Sequence, residues 1–116
     1  MTTFELSDST KSKINHWLTK YPADQRRSAV VAALLAAQEQ NNGHLTDDAM
    51  KAVADYLRIP PVEAYEVATF YDMYNLNPIG KHKIAVCTNI SCMLRGSDEI
   101  IAHLKKRLNI DVTETT

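Results

Sequence analysis

A run of turn formers, Asn75-Leu76-Asn77-Pro78-Ile79-Gly80, divides this chain of 116 residues into two stretches with different periodicities. Before it, apolar residues recur every three or four positions, the spacing of helices that bury one face. After it, a short apolar run, Lys81 to Val86, reads as a strand and is followed by polar residues and one more helical pattern. An α+β chain is therefore expected, with a helical bundle over 1–78 and a second, smaller domain over 79–116.

Four helices are legible upstream. Ser7-Asp8-Ser9 offers N-caps to a segment carrying Ile14, Trp17, Leu18 and Tyr21, which Pro22 breaks. A second helix opens near Asp24 or Ser28, carries Val30, Val31, Leu34, Leu35 and Gln38, and stops at Asn41-Asn42-Gly43. Its alanines permit close helix packing. Thr46 caps a third, with Ala49, Met50, Val53, Ala54 and Leu57 on one face, and Pro60-Pro61 opens a fourth that is expected to run to about Tyr74. Downstream, Gly96-Ser97-Asp98-Glu99 opens a helix with Ile100, Ile101, Leu104 and Leu108 spaced for burial, and Asn109 to Thr113 begins a second strand. The 79–116 stretch is thus a β-α-β start. Two strands by themselves are marginal, so this stretch needs more chain or a partner.

Charge excludes several functions. The chain carries 13 Lys and Arg against 14 Asp and Glu, too even for a broad nucleic-acid footprint. The local cluster Lys105-Lys106-Arg107 reads as a solvated helix face. Ala29 to Ala37, the longest apolar stretch, is about half of the roughly 20 residues a membrane span needs. Met1 to Glu5 lacks the cationic and apolar pattern of a secretory signal, which points to a cytoplasmic, thiol-reducing setting.

The only two cysteines, Cys87 and Cys92, are separated by four residues where the apolar run Ile84-Ala85-Val86 ends. Buried cysteine is often a plain small hydrophobe. Three chemistries compete with that reading. Zinc could draw on His82 and His103, although the spacing lacks a second tight pair. A redox dithiol ordinarily uses two intervening residues, not four. Cys-x4-Cys is also a spacing element of [2Fe–2S] sites, and Gly96 with the polar residues beside Cys92 would supply adaptable backbone and N–H donors to anionic sulfur. In either metal site a pair of cysteines is only half of a four-ligand set.

Other features have plainer readings. Residues 52–64 suggest helix, turn, helix, but no Lys or Arg occurs between Pro61 and Gly80, while Glu63, Glu66 and Asp72 would oppose phosphate; DNA binding is rejected. Tyr65, Phe70, Tyr71 and Tyr74 suit packing or a protein interface better than base stacking. His16 and His44 lie in no ligand pattern. The glycines at 43, 80 and 96 cannot form Gly-x-Gly-x-x-Gly, so no dinucleotide fingerprint is present.

Four strings together carry a family resemblance: Arg27 to Gln40, Pro60 to Tyr71 with its Glu-Val-Ala-Thr-Phe-Tyr, Pro78 to Lys81, and Val86 to Gly96 with its Cys-Thr-Asn-Ile-Ser-Cys-Met-Leu-Arg-Gly. From about residue 10 onward the chain resembles the family of E subunits of NADH-quinone oxidoreductase, the small iron–sulfur subunits of the NADH-oxidising module of respiratory complex I. The resemblance implies a helical bundle joined to a thioredoxin-like domain, of which 79–116 is the first part. It also implies one [2Fe–2S] cluster on four cysteines, with Cys87 and Cys92 matching the first two. The family's second pair, a Cys-x3-Cys loop, lies farther along with the remaining strands, so the chain is expected to be truncated before it and not to hold a stable cluster alone. Its cysteines would then be free thiols, or a disulfide after oxidation, and its exposed strand edge could pair two copies as a dimer.

The implied role is electron transfer beside the subunit that binds FMN and NADH, peripheral to the membrane, in the bacterial cytoplasm or on the matrix side of mitochondria. The chain itself would hold no complete active site and assign no catalytic residue. Related subunits of NAD-linked hydrogenases and formate dehydrogenases are the alternative within this class. A zinc-binding or helical protein-interaction module is the alternative outside it.

Overall fold

The computed structural model describes residues 4–115, so Met1 to Thr3, part of the segment read for a leader, and Thr116 lie outside the described residues. The chain divides into two compact units, Met1–Pro78 and Ile79–Thr116.

The first unit is built from α1 (Asp8–Leu18), a 3-10 turn (Arg26–Ala29) that leads into α2 (Val30–Gln40), α3 (Asp47–Leu57) and α4 (Pro61–Phe70). Each boundary has a local cause. The Ser7 hydroxyl accepts from the Thr10 N–H at 3.2 Å, and the Thr46 hydroxyl accepts from the Ala49 N–H at 3.2 Å, so both helices start on a side-chain cap. α2 ends where Asn42 turns left-handed at φ 60° and the Gly43 N–H reaches back to the Gln38 carbonyl at 2.8 Å. α3 ends the same way at Arg58, also at φ 60°, with the Ile59 N–H on the Ala54 carbonyl at 3.0 Å. The Arg26 guanidinium also caps α3, donating to the carbonyls of Tyr56 at 2.7 Å and Leu57 at 3.4 Å.

α2 is the central element, packed against α1, α3 and α4. Its buried residues are Val30, Ala33, Leu34, Ala36 and Ala37, small enough for neighbouring backbones to come close. α3 buries all five residues expected of it. α1 buries Ile14 completely but leaves Trp17 partly exposed, with the Lys20 ammonium 4.2 Å from its ring centroid. α4 stops at Phe70, short of the expected Tyr74. The segment after it is claimed by tertiary bonds that a helix could not make: the Tyr74 hydroxyl donates to the Val31 carbonyl at 2.8 Å, the Gln38 amide donates to the Met73 carbonyl at 3.1 Å, and the Asn75 N–H donates to Gln38 Oε1 at 2.7 Å.

The second unit contains α5 (Ile90–Leu94) and α6 (Ser97–Leu108). The expected β-α-β arrangement is not formed: among the described residues there is no strand at 81–86 or at 109–113. A strand exists through its ladder to a neighbour, and among the described residues no strand ladder forms at 81–86. The later segment is bent by local bonds. Asn109 and Thr113 are left-handed at φ 55° and 72°, Asp111 Oδ1 accepts from the Val112 N–H at 2.7 Å, and Lys105 reaches Asp111 at 3.0 Å. The hydrogen bond from Lys105, with that from Val112 and the Lys105 charge, holds the Asp111 carboxyl below its usual range. Ile101, Leu104 and Leu108 are half-buried, Ile100 is exposed, and no apolar side chain of the described unit is fully buried.

Candidate metal centre

The site is a short loop and one turn of helix. Cys87 ends the irregular segment, and Asn89 caps α5 by accepting the Ile90 N–H on its own Oδ1 at 2.8 Å while its carbonyl takes the Met93 N–H at 2.8 Å. This tight start places Cys92 in the middle of α5. Both cysteines are free thiols; Cys87 is exposed and Cys92 half-buried.

The Asn89 backbone N–H, and then the Cys92 thiol, stabilise charge on the Cys87 sulfur and hold its pKa below that of an ordinary thiol. Cys92 is pushed up, first by hydrogen bonding with Cys87 and then by the negative charge of Cys87. The pair therefore ionises one sulfur at a time, with Cys87 first.

Beyond the pair, Arg95 and Gly96 close α5 and Gly96 turns left-handed at φ 102°, a conformation that a side chain rarely adopts, to open α6. Ser97 is the one fully buried residue of the described unit, and its hydroxyl has no hydrogen-bond partner among the described residues. Such a group is costly to leave unmet. Nothing in the sequence singled out Ser97 or the Asn89 N–H. The loop pattern Asn-x-Ser-Cys could have suggested the Asn89 cap, whereas Ser97 is visible only through burial.

The donor set fits half of an iron–sulfur centre. Two soft sulfurs on one short loop and the helix turn after it can serve one metal, and the Cys87 thiol is the more acidic of the two. His82 and His103 are exposed and are not gathered with them. Among the described residues there is no group of three or more His, Cys, Asp or Glu that could hold a metal ion. The aromatic residues of α4 and the segment after it are separated as well: Tyr74 is buried in the first unit, while Tyr65, Phe70 and Tyr71 are exposed.

Comparison with known proteins places these features in a family. Residues 14–116 match the family described as thioredoxin-like [2Fe-2S] ferredoxin. The chain is 52% identical over 99 residues to the E subunit of NADH-quinone oxidoreductase from Rickettsia prowazekii, covering 85% of this chain and 56% of that one. It is 44% identical over all 116 residues to the corresponding E subunit from Rickettsia bellii, covering 70% of that protein. It is also 45% identical over 115 residues to the mitochondrial NADH dehydrogenase [ubiquinone] flavoprotein 2 of Dictyostelium discoideum, covering 99% of this chain and 47% of that one. The chain thus spans from about half to seven-tenths of the length of these relatives. It belongs to the thioredoxin-like [2Fe-2S] ferredoxin family and, within it, to the group of NADH-quinone oxidoreductase E subunits.

Proposed function

We propose that this chain is part of the electron-transfer subunit of an NADH:quinone oxidoreductase, respiratory complex I, in which Cys87 and Cys92 supply two of four thiolates to a [2Fe–2S] cluster next to the subunit that binds FMN and NADH. The family match over residues 14–116, which runs through the Cys87 and Cys92 pair, carries this reading. When bound, such a cluster supplies one-electron transfer, with a potential set by net charge, hydrogen bonds to sulfur and exposure. The protein groups have corresponding tasks. Asn89 donates its N–H to Cys87, and Gly96 lets the chain turn sharply away from Cys92.

No acid, base or nucleophile is required of the chain, because hydride chemistry belongs to a flavin and nicotinamide held elsewhere. Two thiolates leave half of the ligand positions to residues other than these 116. The strands at 81–86 and 109–113 form when neighbouring strands meet them, completing the β-α-β start of a thioredoxin-like domain over 79–116 beside the helical domain over 1–78. Among the described residues no helix is long and apolar enough to cross a membrane. We place the subunit at the membrane surface through its complex, on the cytoplasmic side in a bacterium.

The test is spectroscopic. The full-length protein, purified without oxygen, should show a [2Fe–2S] EPR signal on reduction, which Cys87→Ser or Cys92→Ser abolishes or shifts. Stoichiometric zinc without iron would overturn the reading. The 116-residue chain alone should retain well under two irons after gel filtration; a stable full complement would show that other ligands serve or that two chains share a centre.

A further inference from the structure

Ser97 is 2% exposed, and its Oγ has no hydrogen-bond partner among the described residues. Native proteins seldom keep such a group unless an ion, a water or a bound group meets it. The hydroxyl does not serve its own helix. A serine caps a helix from the residue before the first turn, and in α6 that position belongs to Gly96, which supplies no side-chain cap. Ser97 stands one residue further in, so its hydroxyl is left over.

The backbone keeps this hydroxyl close to the cysteine loop. The Arg95 N–H donates to the Cys92 carbonyl at 3.1 Å and the Gly96 N–H to the Met93 carbonyl at 3.2 Å, so residues 92–96 close one tight turn. Gly96, left-handed at φ 102°, then starts α6, against which α5 packs. Ser97 is therefore the first residue after the turn that carries Cys92, at the joint between the two helices.

The chemistry suits sulfur. A thiolate can only accept a hydrogen bond, and a serine hydroxyl is a neutral donor. The helix terminus itself is a poorer candidate: Asp98 and Glu99 lie in the same turn, exposed, and Glu99 Oε2 is 3.8 Å from where a Cβ on Gly96 would stand. Their negative charge offsets the field of the terminus. The competing partner is a backbone carbonyl of a further strand, which would claim the hydroxyl whether or not iron is bound.

We propose that Ser97 is a positioning residue of the electron-transfer site, its hydroxyl donating to the sulfur of the Cys92 ligand and raising the potential at which the site takes up an electron. The proposal rests on the function given above. One added electron makes the site more negative by one charge, so a donor to sulfur holds the reduced form more strongly than the oxidised one.

The midpoint potential of the full-length protein, loaded with iron and sulfide and followed by EPR during titration with a mediated chemical reductant, tests it. Ser97→Ala should shift the one-electron equilibrium roughly tenfold toward the oxidised form, a fall of about 59 mV. Ser97→Thr, which keeps the hydroxyl, should stay near wild type. An unchanged potential in Ser97→Ala, or an equal shift in Ser97→Thr, would overturn the role of Ser97 and leave the iron–sulfur reading standing. Wild-type protein with no EPR-active centre after loading would overturn both. The iron-free full-length protein gives a second measurement that does not depend on whether the variant loads. Its melting temperature should be unchanged or raised by Ser97→Ala, because an unmet hydroxyl is removed. A lowered one would show that a strand carbonyl already holds Ser97, and would overturn the proposal.

Discussion

The two units of this chain solve the folding problem to different degrees. Among the described residues, the first unit buries sixteen apolar side chains in one continuous core, including Ile14, Leu34, Leu45, Val53 and Leu57. The second buries none completely, and leaves Ile84, Ile90, Met93, Leu94, Ile100 and Val112 exposed. Burial is the dominant favourable term in folding, and a segment of this size ordinarily needs a metal, a disulfide or a partner to remain ordered. The unit that carries the two cysteines is therefore the one that depends on something else, whereas the helical unit is held by a core of its own.

That contrast should be largest in hydrogen exchange on the 116-residue chain. Amides of α2 and α3 should exchange only through global opening of the helical unit, and those of α6 through local opening close to zero free energy. A protection ratio of at least about a thousandfold is expected for a unit of ordinary stability. Equal protection in α2 and α6 would break the comparison. If 79–116 is ordered by a bound cluster as proposed, loading the full-length protein with iron and sulfide should raise protection in α6 and leave α2 unchanged, which would sharpen it.

The next largest effect is mutational. Leu34, at 0% exposure, is in the middle of α2, and Leu34→Ala should destabilise the helical unit by about 3 kcal/mol, read from its urea midpoint. Ile101 occupies a comparable place in α6 but is only half-buried, so Ile101→Ala should alter the unfolding curve by less than about 1 kcal/mol. Comparable losses from the two substitutions would mean that the second unit has a core of its own.

The same asymmetry explains what could be read from the sequence. Three of the first four helices begin on signals that lie within a few residues, Ser7, Thr46 and the Pro60-Pro61 pair, and the α3 stripe is fully specified by its 3.6-residue period. The end of α4 was not legible. It depends on Tyr74 finding the Val31 carbonyl and on Gln38 bridging to 73–75, contacts between residues more than 30 positions apart. The apolar run at 81–86 marked a strand, but a strand also needs a neighbour to pair with, and no local pattern supplies one. At the candidate centre, the two cysteines were legible by residue type and spacing. The Asn89 N–H that lowers one of them and the unmet Ser97 hydroxyl follow from a tight turn and from burial, which composition does not encode.

The smallest expected effect concerns Tyr74, where the helical unit secures the segment that follows α4. Burial, and next the charge of Tyr71, raises its pKa from 10.0 to about 12. The folded chain therefore keeps a proton that the unfolded chain releases between pH 10 and 12. This contribution is fully present below pH 10 and is lost as pH rises through about 12, so stability must fall across that window. Tyr74→Phe removes the ionisable group together with the 2.8 Å bond to the Val31 carbonyl. At neutral pH that should destabilise the unit by about 1–2 kcal/mol. The difference between wild type and variant, followed by thermal denaturation, should shrink as pH rises from 10 to 12. A difference that stays constant over that range would show that Tyr74 is not held protonated by burial.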